Sequence, residues 1–177
     1  FMRARNIQFI ARRLKPNTQV YGFFDKVDVN SFLVPKLLEV SMTSGTFQVG
    51  EVVIGVMPVS ETVADAFDPS VPYIEFRPAV SNHKYGPFNA PTDWYSQNPY
   101  DRNNVVPATY SSTSTILNVD TFSLANQNQP EYWGWVRTGM ILRGQSSGAV
   151  ATITDVRLIS DNVGTLIGSY RVPDGNI

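Results

Sequence analysis

Residues 5–29 read RNIQFIARRLKPNTQVYGFFDKVDV, and the spacing of apolar side chains in this stretch decides the fold class. In its first part Ile7, Phe9 and Ala11 share one face of an extended chain while Gln8, Ile10 and Arg12 share the other. That is the period of two of a β-strand, which a helix has no use for. The corner Leu14-Lys15-Pro16-Asn17-Thr18 follows. Pro16 has no N–H to give to a ladder and belongs in a turn. Beyond the corner Val20, Tyr21, Phe23 and Phe24 are expected to supply apolar mass for a core. Two strands joined by a corner predict a β-sandwich-like strand pair over residues 1–33.

Working outward, residues 46–55 (TFQVGEVVIG) place Gly50-Glu51 between β-branched runs, as a turn or bulge would require. Residues 73–80 (YIEFRPAV) alternate strongly, and Pro72 and Pro78 predict an edge strand. Further strands are expected over 36–42, 111–119, 121–125, 132–136, 140–143, 149–158 and 165–172. Turns are expected at Thr138-Gly139, Ser146-Ser147-Gly148 and Asp161-Asn162-Val163-Gly164. A short internal repeat aligns QVGEVVIG (48–55) with RTGMILRG (137–144). It reads either as two similar hairpins of one barrel or as a chance match. No segment carries a helical period of useful length. The expectation is an all-β fold, an antiparallel sandwich or barrel-like hairpins, with residues 34–177 forming a barrel-like unit.

Residues 81–110 differ in kind. They hold His83, Tyr85, Phe88, Trp94, Tyr95, Tyr100 and Tyr110 among repeated Pro and Asn, with little apolar periodicity. A loop of that length inside a compact domain is usually a lid, a binding loop or an assembly arm. Tyr85, Phe88, Trp94, Tyr95 and Tyr100 are the candidate ligand- or partner-binding residues. Amphipathic rings stack on sugars, and Asn82, Asn89, Gln97 and Asn98 stand nearby to hydrogen-bond hydroxyls. The same rings would equally bury against the sheet or a neighbouring subunit.

The remaining chemistry is sparse. With no cysteine there are no disulfides, thiolate metal sites or thiol nucleophiles. The single histidine, His83, lies in a loop with no nucleophile identified beside it, which favours a structural hydrogen bond over general-base work. Asp93, Asp101, Asp120 and Glu131 are scattered, and only convergence in space would make a hydrolase pair of Asp93 and Glu131. Asp25, Asp28 and Asn30 lack the spacing of a calcium loop and read as turn and cap residues. No cofactor and no enzymatic activity are expected. A net charge of −1 provides no field to attract nucleic acid, and no apolar run is long enough to insert in a bilayer as a helix. Positive charge does collect early, at Arg3, Arg5, Arg12, Arg13 and Lys15, where it guards a strand edge from pairing or forms a basic patch. The chain opens on Phe1 and stops after the turn signal Asp174-Gly175-Asn176, so a segment of a longer polypeptide is expected.

Leu14-x-Pro16-x-Thr18 followed by Tyr21 resembles the corner before the sixth strand of fibronectin type III domains, with the tyrosine one residue later than in that pattern. In that pattern a tyrosine hydroxyl pins the turn; one residue later, Tyr21 is expected to point the other way unless the turn carries a bulge. Five further patches are Met2-Arg3-Ala4-Arg5, the same Leu14 to Thr18 corner, Tyr21-Gly22-Phe23-Phe24-Asp25, Gly45-Thr46-Phe47-Gln48-Val49-Gly50-Glu51 and Ser146-Ser147-Gly148-Ala149-Val150-Ala151. Together they resemble a recurrent β-rich module of large virion structural proteins in contractile-tailed bacteriophages, especially those of marine cyanobacteria. That resemblance implies a location in the virion and a structural or adhesive role in tail, baseplate or fibre. Its implied partners are other virion proteins, further copies of the chain in a homo-oligomer, or a host-surface glycan.

Overall fold

The computed structural model describes residues 5–24, 26–58, 73–124 and 134–172. In chain order the strands are β1 (Arg5–Ala11), β2 (Gln19–Val20), β3 (Phe23–Phe24), β4 (Val27–Asp28), β5 (Leu33–Pro35), β6 (Leu37–Ser44), β7 (Val53–Val56) and β8 (Tyr73–Pro78). They continue as β9 (His83–Tyr85), β10 (Asp93–Trp94), β11 (Ile116–Asp120), β12 (Ile141–Gly144), β13 (Val150–Asp155), β14 (Leu158–Ile159) and β15 (Leu166–Val172). Two single 3-10 turns, Asn30–Phe32 and Thr121–Ser123, are the helical structure among the described residues. The fold is all-β, as its alternation predicts, and no described helix is long and apolar enough to cross a membrane.

Six strands close a barrel in the order β11-β6-β13-β12-β7-β8. Its interior holds Leu38, Val40, Val53, Ile74, Phe76, Leu117, Val119, Met140, Leu142, Ala151 and Ile153, all buried. The two copies of the short repeat supply adjacent strands of this barrel. β7 and β12 pair antiparallel, and Ile54 faces Arg143, its own equivalent in the repeat. The pair Val53 with Gly144 then exchanges with Leu142 and Gly55 about that point, a local twofold. Each copy leaves a turn at a glycine of positive φ, Gly50 at 80° and Gly139 at 90°, a region that side chains with a Cβ rarely occupy.

The opening strand does not form a hairpin with its neighbour. β1 pairs along its whole length with β15, from Arg5 opposite Val172 to Ala11 opposite Leu166, and β5 covers the other side of β15. β2 pairs instead with β14. The alternation itself is as expected: Phe9 and Ala11 pack on Leu33, Leu158 and Leu166, while Gln8 and Ile10 face away into a cleft. The corner between them is pinned by Ser160, whose Oγ donates to the Lys15 carbonyl at 2.6 Å and accepts from Thr18 N at 3.0 Å. Tyr21 is 66% exposed and has no part in that corner. Phe23 is likewise 65% exposed, so these two rings add nothing to the core.

Other departures have local causes. β8 is no edge strand, since β7 and β11 flank it. Pro78 is tolerated because pairing with β7 stops at Phe76, and the Pro78 carbonyl still accepts from Gly50 N. Residues 111–114 form a turn held by Ser111 N donating to Ser114 Oγ, and the chain after Asp120 winds into a 3-10 turn capped by the Asp120 carboxylate on Phe122 N. In both places Ser, Thr and Asp side chains offer the backbone a local partner in place of a ladder. Gly134, Trp135 and Val136 are not in a strand, and Tyr132 and Trp133 lie outside the described residues.

Candidate functional site

The long loop is stitched to the barrel by its own aromatics. Tyr95 is buried with Leu37, Val106 and Ile116 on the outer face of the barrel, and Tyr100 packs beside them. The Tyr100 hydroxyl donates to the carbonyls of Leu37 and Arg157, and the Arg157 guanidinium, held by both oxygens of Glu39, lies 5.4 Å from its ring centre. Tyr110 donates to the Ala79 carbonyl. Burial raises the pKa of all three phenols. Lys84 forms a buried ion pair with Asp161 at 2.6 Å, beneath the rings of Tyr85 and Tyr95. Asp161 in turn accepts from Val163 N and Thr165 N, so this pair ties the loop to the β14–β15 turn.

What the loop leaves open is a cleft of about 460 Å³ between β1, β9 and the Thr121–Ser123 turn. The strand alternation of β1 turns Gln8 and Ile10 into it. β9 and the residues after it contribute His83, Tyr85 and Phe88, and the end of β11 contributes Asp120 with Phe122 just beyond. Lys36, between β5 and β6, lies in its wall and is only 3% exposed. Its ammonium donates to Asn118 Oδ1 at 2.7 Å and to the Val119 carbonyl at 2.6 Å. Burial lowers its pKa to about 7, against the opposing attraction of Asp120. Burial also lowers the pKa of His83, and the neighbouring Lys36 charge adds to that. His83 Nε2 meets the Gly86 carbonyl at 3.0 Å, and Nδ1 is buried with no hydrogen-bond partner among the described residues.

Of the five aromatic candidates, Tyr85 and Phe88 line this cleft. Tyr95 and Tyr100 are packed against the barrel, and Trp94, 56% exposed, stands outside the cleft opposite His83 in the β9–β10 pair. Gln8, Lys36 and Phe122 are absent from the binding residues expected from the sequence, and Asp120 stands there only as one of four scattered carboxylates. Lys36 had a visible signal, a lone charge inside Leu33-Val34-Pro35-Lys36-Leu37-Leu38. The other three come from elements that only the tertiary fold brings to His83. Asp28 and Asn30 are the turn residues expected, Asp28 accepting from Asn30 N and Nδ2. Asp25 and Glu131 lie outside the described residues, as does any pairing of Glu131 with Asp93. Among the described residues no three of His, Asp and Glu gather to hold a metal ion. No protein-family model, curated protein or solved structure matches the chain.

Proposed function

We propose that the chain is a structural module of a bacteriophage virion, in its tail, baseplate or fibre, and that it joins neighbouring subunits through the aromatic hairpin of residues 21–28. The observation that carries this reading is the surface of that hairpin. Among the described residues β3 and β4 pair only with each other, and Phe23 and Val27 within them, with Tyr21 just before, stand 64–66% exposed. A two-stranded hairpin has little stability of its own in water, and large rings held in solvent gain most when a neighbour covers them. Two of the patches that carry the virion resemblance are joined in the framework: Glu51 Oε1 accepts from Ser146 N, Ser147 N and Ser147 Oγ.

The chain should self-associate in sedimentation velocity as its concentration rises, or co-sediment with other proteins of the purified particle. Tyr21→Ser with Phe23→Ser should abolish that association and leave the circular dichroism unchanged. A chain that stays monomeric throughout and binds no particle protein would end the reading.

The cleft favours a second reading, binding of a host-surface glycan. It sets the rings of Tyr85, Phe88 and Phe122 beside the polar groups of Gln8 and Asp120, in a volume within the roughly 300–1,000 Å³ of small-molecule sites.

A further inference from the structure

We infer that the cleft between β1, β9 and the Thr121–Ser123 turn is a binding site for an uncharged sugar, held by Lys36, His83 and Asp120 on its polar wall and by the Phe122 and Tyr85 rings at its rim. This rests on the glycan reading above and adds to it the residues that hold the ligand and the ligand class.

The wall is mixed in sign. Lys84 is already neutralised by Asp161 at 2.6 Å, and Lys36 faces the same cleft as Asp120. An anion drawn to Lys36 would meet the Asp120 carboxylate, and a cation would meet the reverse. An apolar side chain inserted here would leave His83 Nδ1 without a partner and strip water from Lys36 and Asp120, which is unfavourable. A hydroxyl both donates and accepts, so a polyol satisfies the whole set. The histidine adds a specific demand. The Gly86 carbonyl can only accept, so the Nε2 that meets it carries the proton, and in neutral imidazole Nδ1 is then a lone pair. That lone pair is buried and unpartnered, and it lacks one O–H donor. A pyranose supplies hydroxyls to such a wall while its C–H face lies on aromatic rings, and Phe122 is 80% exposed at the rim.

His83 is the only histidine in the chain, so its two imidazole nitrogens, Nδ1 and Nε2, each give one unambiguous NMR signal. Galactose-, mannose- and glucose-terminated glycans are screened on the full chain, with sialylated and sulfated glycans as charged counterparts. A neutral glycan that binds should shift the His83 Nδ1 resonance. Phe122→Ala and Asp120→Asn should each weaken binding about tenfold or more, the loss of one ring contact or one charge-assisted hydrogen bond. Asparagine retains an oxygen to cap Phe122 N, and the exposure of Phe122 makes its alanine variant safe for the fold. Trp94→Ala should leave affinity unchanged. Binding that survives both cleft variants and is lost with Trp94→Ala overturns the cleft and leaves the glycan reading standing. Binding confined to charged glycans overturns the ligand class. No binding to any glycan overturns both.

Discussion

Lys36 sits in the run Leu33-Val34-Pro35-Lys36-Leu37-Leu38, and the fold buries all six residues. Its ammonium has two acceptors, yet desolvation dominates and brings its pKa from 10.5 to about 7. Folding therefore shifts Lys36 toward the neutral amine, so that near pH 7 it carries its charge only part of the time, while the unfolded chain holds the proton up to 10.5. Stability from this residue is fully present above 10.5 and is lost as pH falls from there toward 7. At roughly 1.4 kcal/mol per pKa unit the ceiling is on the order of 5 kcal/mol. His83 acts in the same direction further down: its lowered pKa makes stability fall again as pH drops below its ordinary 6.5. The raised phenols of Tyr95, Tyr100 and Tyr110 act oppositely, losing stability as pH rises through 10. Urea midpoints should thus climb between about pH 7 and pH 9.5 in the native chain. Lys36→Met should flatten that slope. A slope that persists in the variant would show that another group sets it.

At the scale of elements, one carboxylate joins two turns. Glu51, buried in the loop before β7, accepts from Gln48 N at 2.5 Å through Oε2 and from three donors of the β12–β13 turn through Oε1. Glu51→Gln keeps the volume but turns an amide NH₂ toward backbone N–H groups on one side or the other. The expected cost is about 2–4 kcal/mol in denaturant unfolding, with faster hydrogen exchange at Ser146 and Ser147. Normal exchange at those two amides would mean that the carboxylate is replaceable there. Patterning revealed the strands themselves: residues 5–11 and 73–78 alternate and are strands, and 166–172, set off by the Asp161 to Gly164 turn, is a strand as expected. What it left open was the partner, because a period of two says which face is buried and nothing about what lies alongside. β1 therefore read as half of a hairpin with β2 although its ladder is to β15. The site was legible to the same extent. Tyr85 and Phe88 stand out within the loop, but Gln8 and Asp120 join them through β1 and β11, elements far away in sequence. Tyr95 and Tyr100 look identical in composition to binding aromatics, and only Leu37 and Ile116 beneath them settle that they are core.

For the whole molecule the controlling fact is that β1 and β15 are one antiparallel pair, Arg5 opposite Val172. Beside the six-stranded barrel, the described chain carries a second sheet, β1-β15-β5, in which its first and last strands form one ladder, non-local to nearly the greatest degree possible. Closing a loop costs entropy that grows as the logarithm of its length before any contact in the ladder is gained. Sheets built from such pairs fold slowly for that reason. Because Arg5 and Val172 are already neighbours, a short flexible linker between β15 and β1 suffices to join the ends. New termini between Arg102 and Asn103, both exposed, would then spare the barrel. In that circular permutant β15 and β1 become a local hairpin, and the loop-closure cost of the ladder falls by roughly 2 kcal/mol. If the ladder forms in the transition state, refolding should accelerate about tenfold or more, while unfolding changes little. Stopped-flow chevrons of the two forms measure this directly. An unchanged folding limb would place nucleation within the barrel, in the β6–β13 and β7–β12 pairs, with the ends docking only after the rate-limiting step.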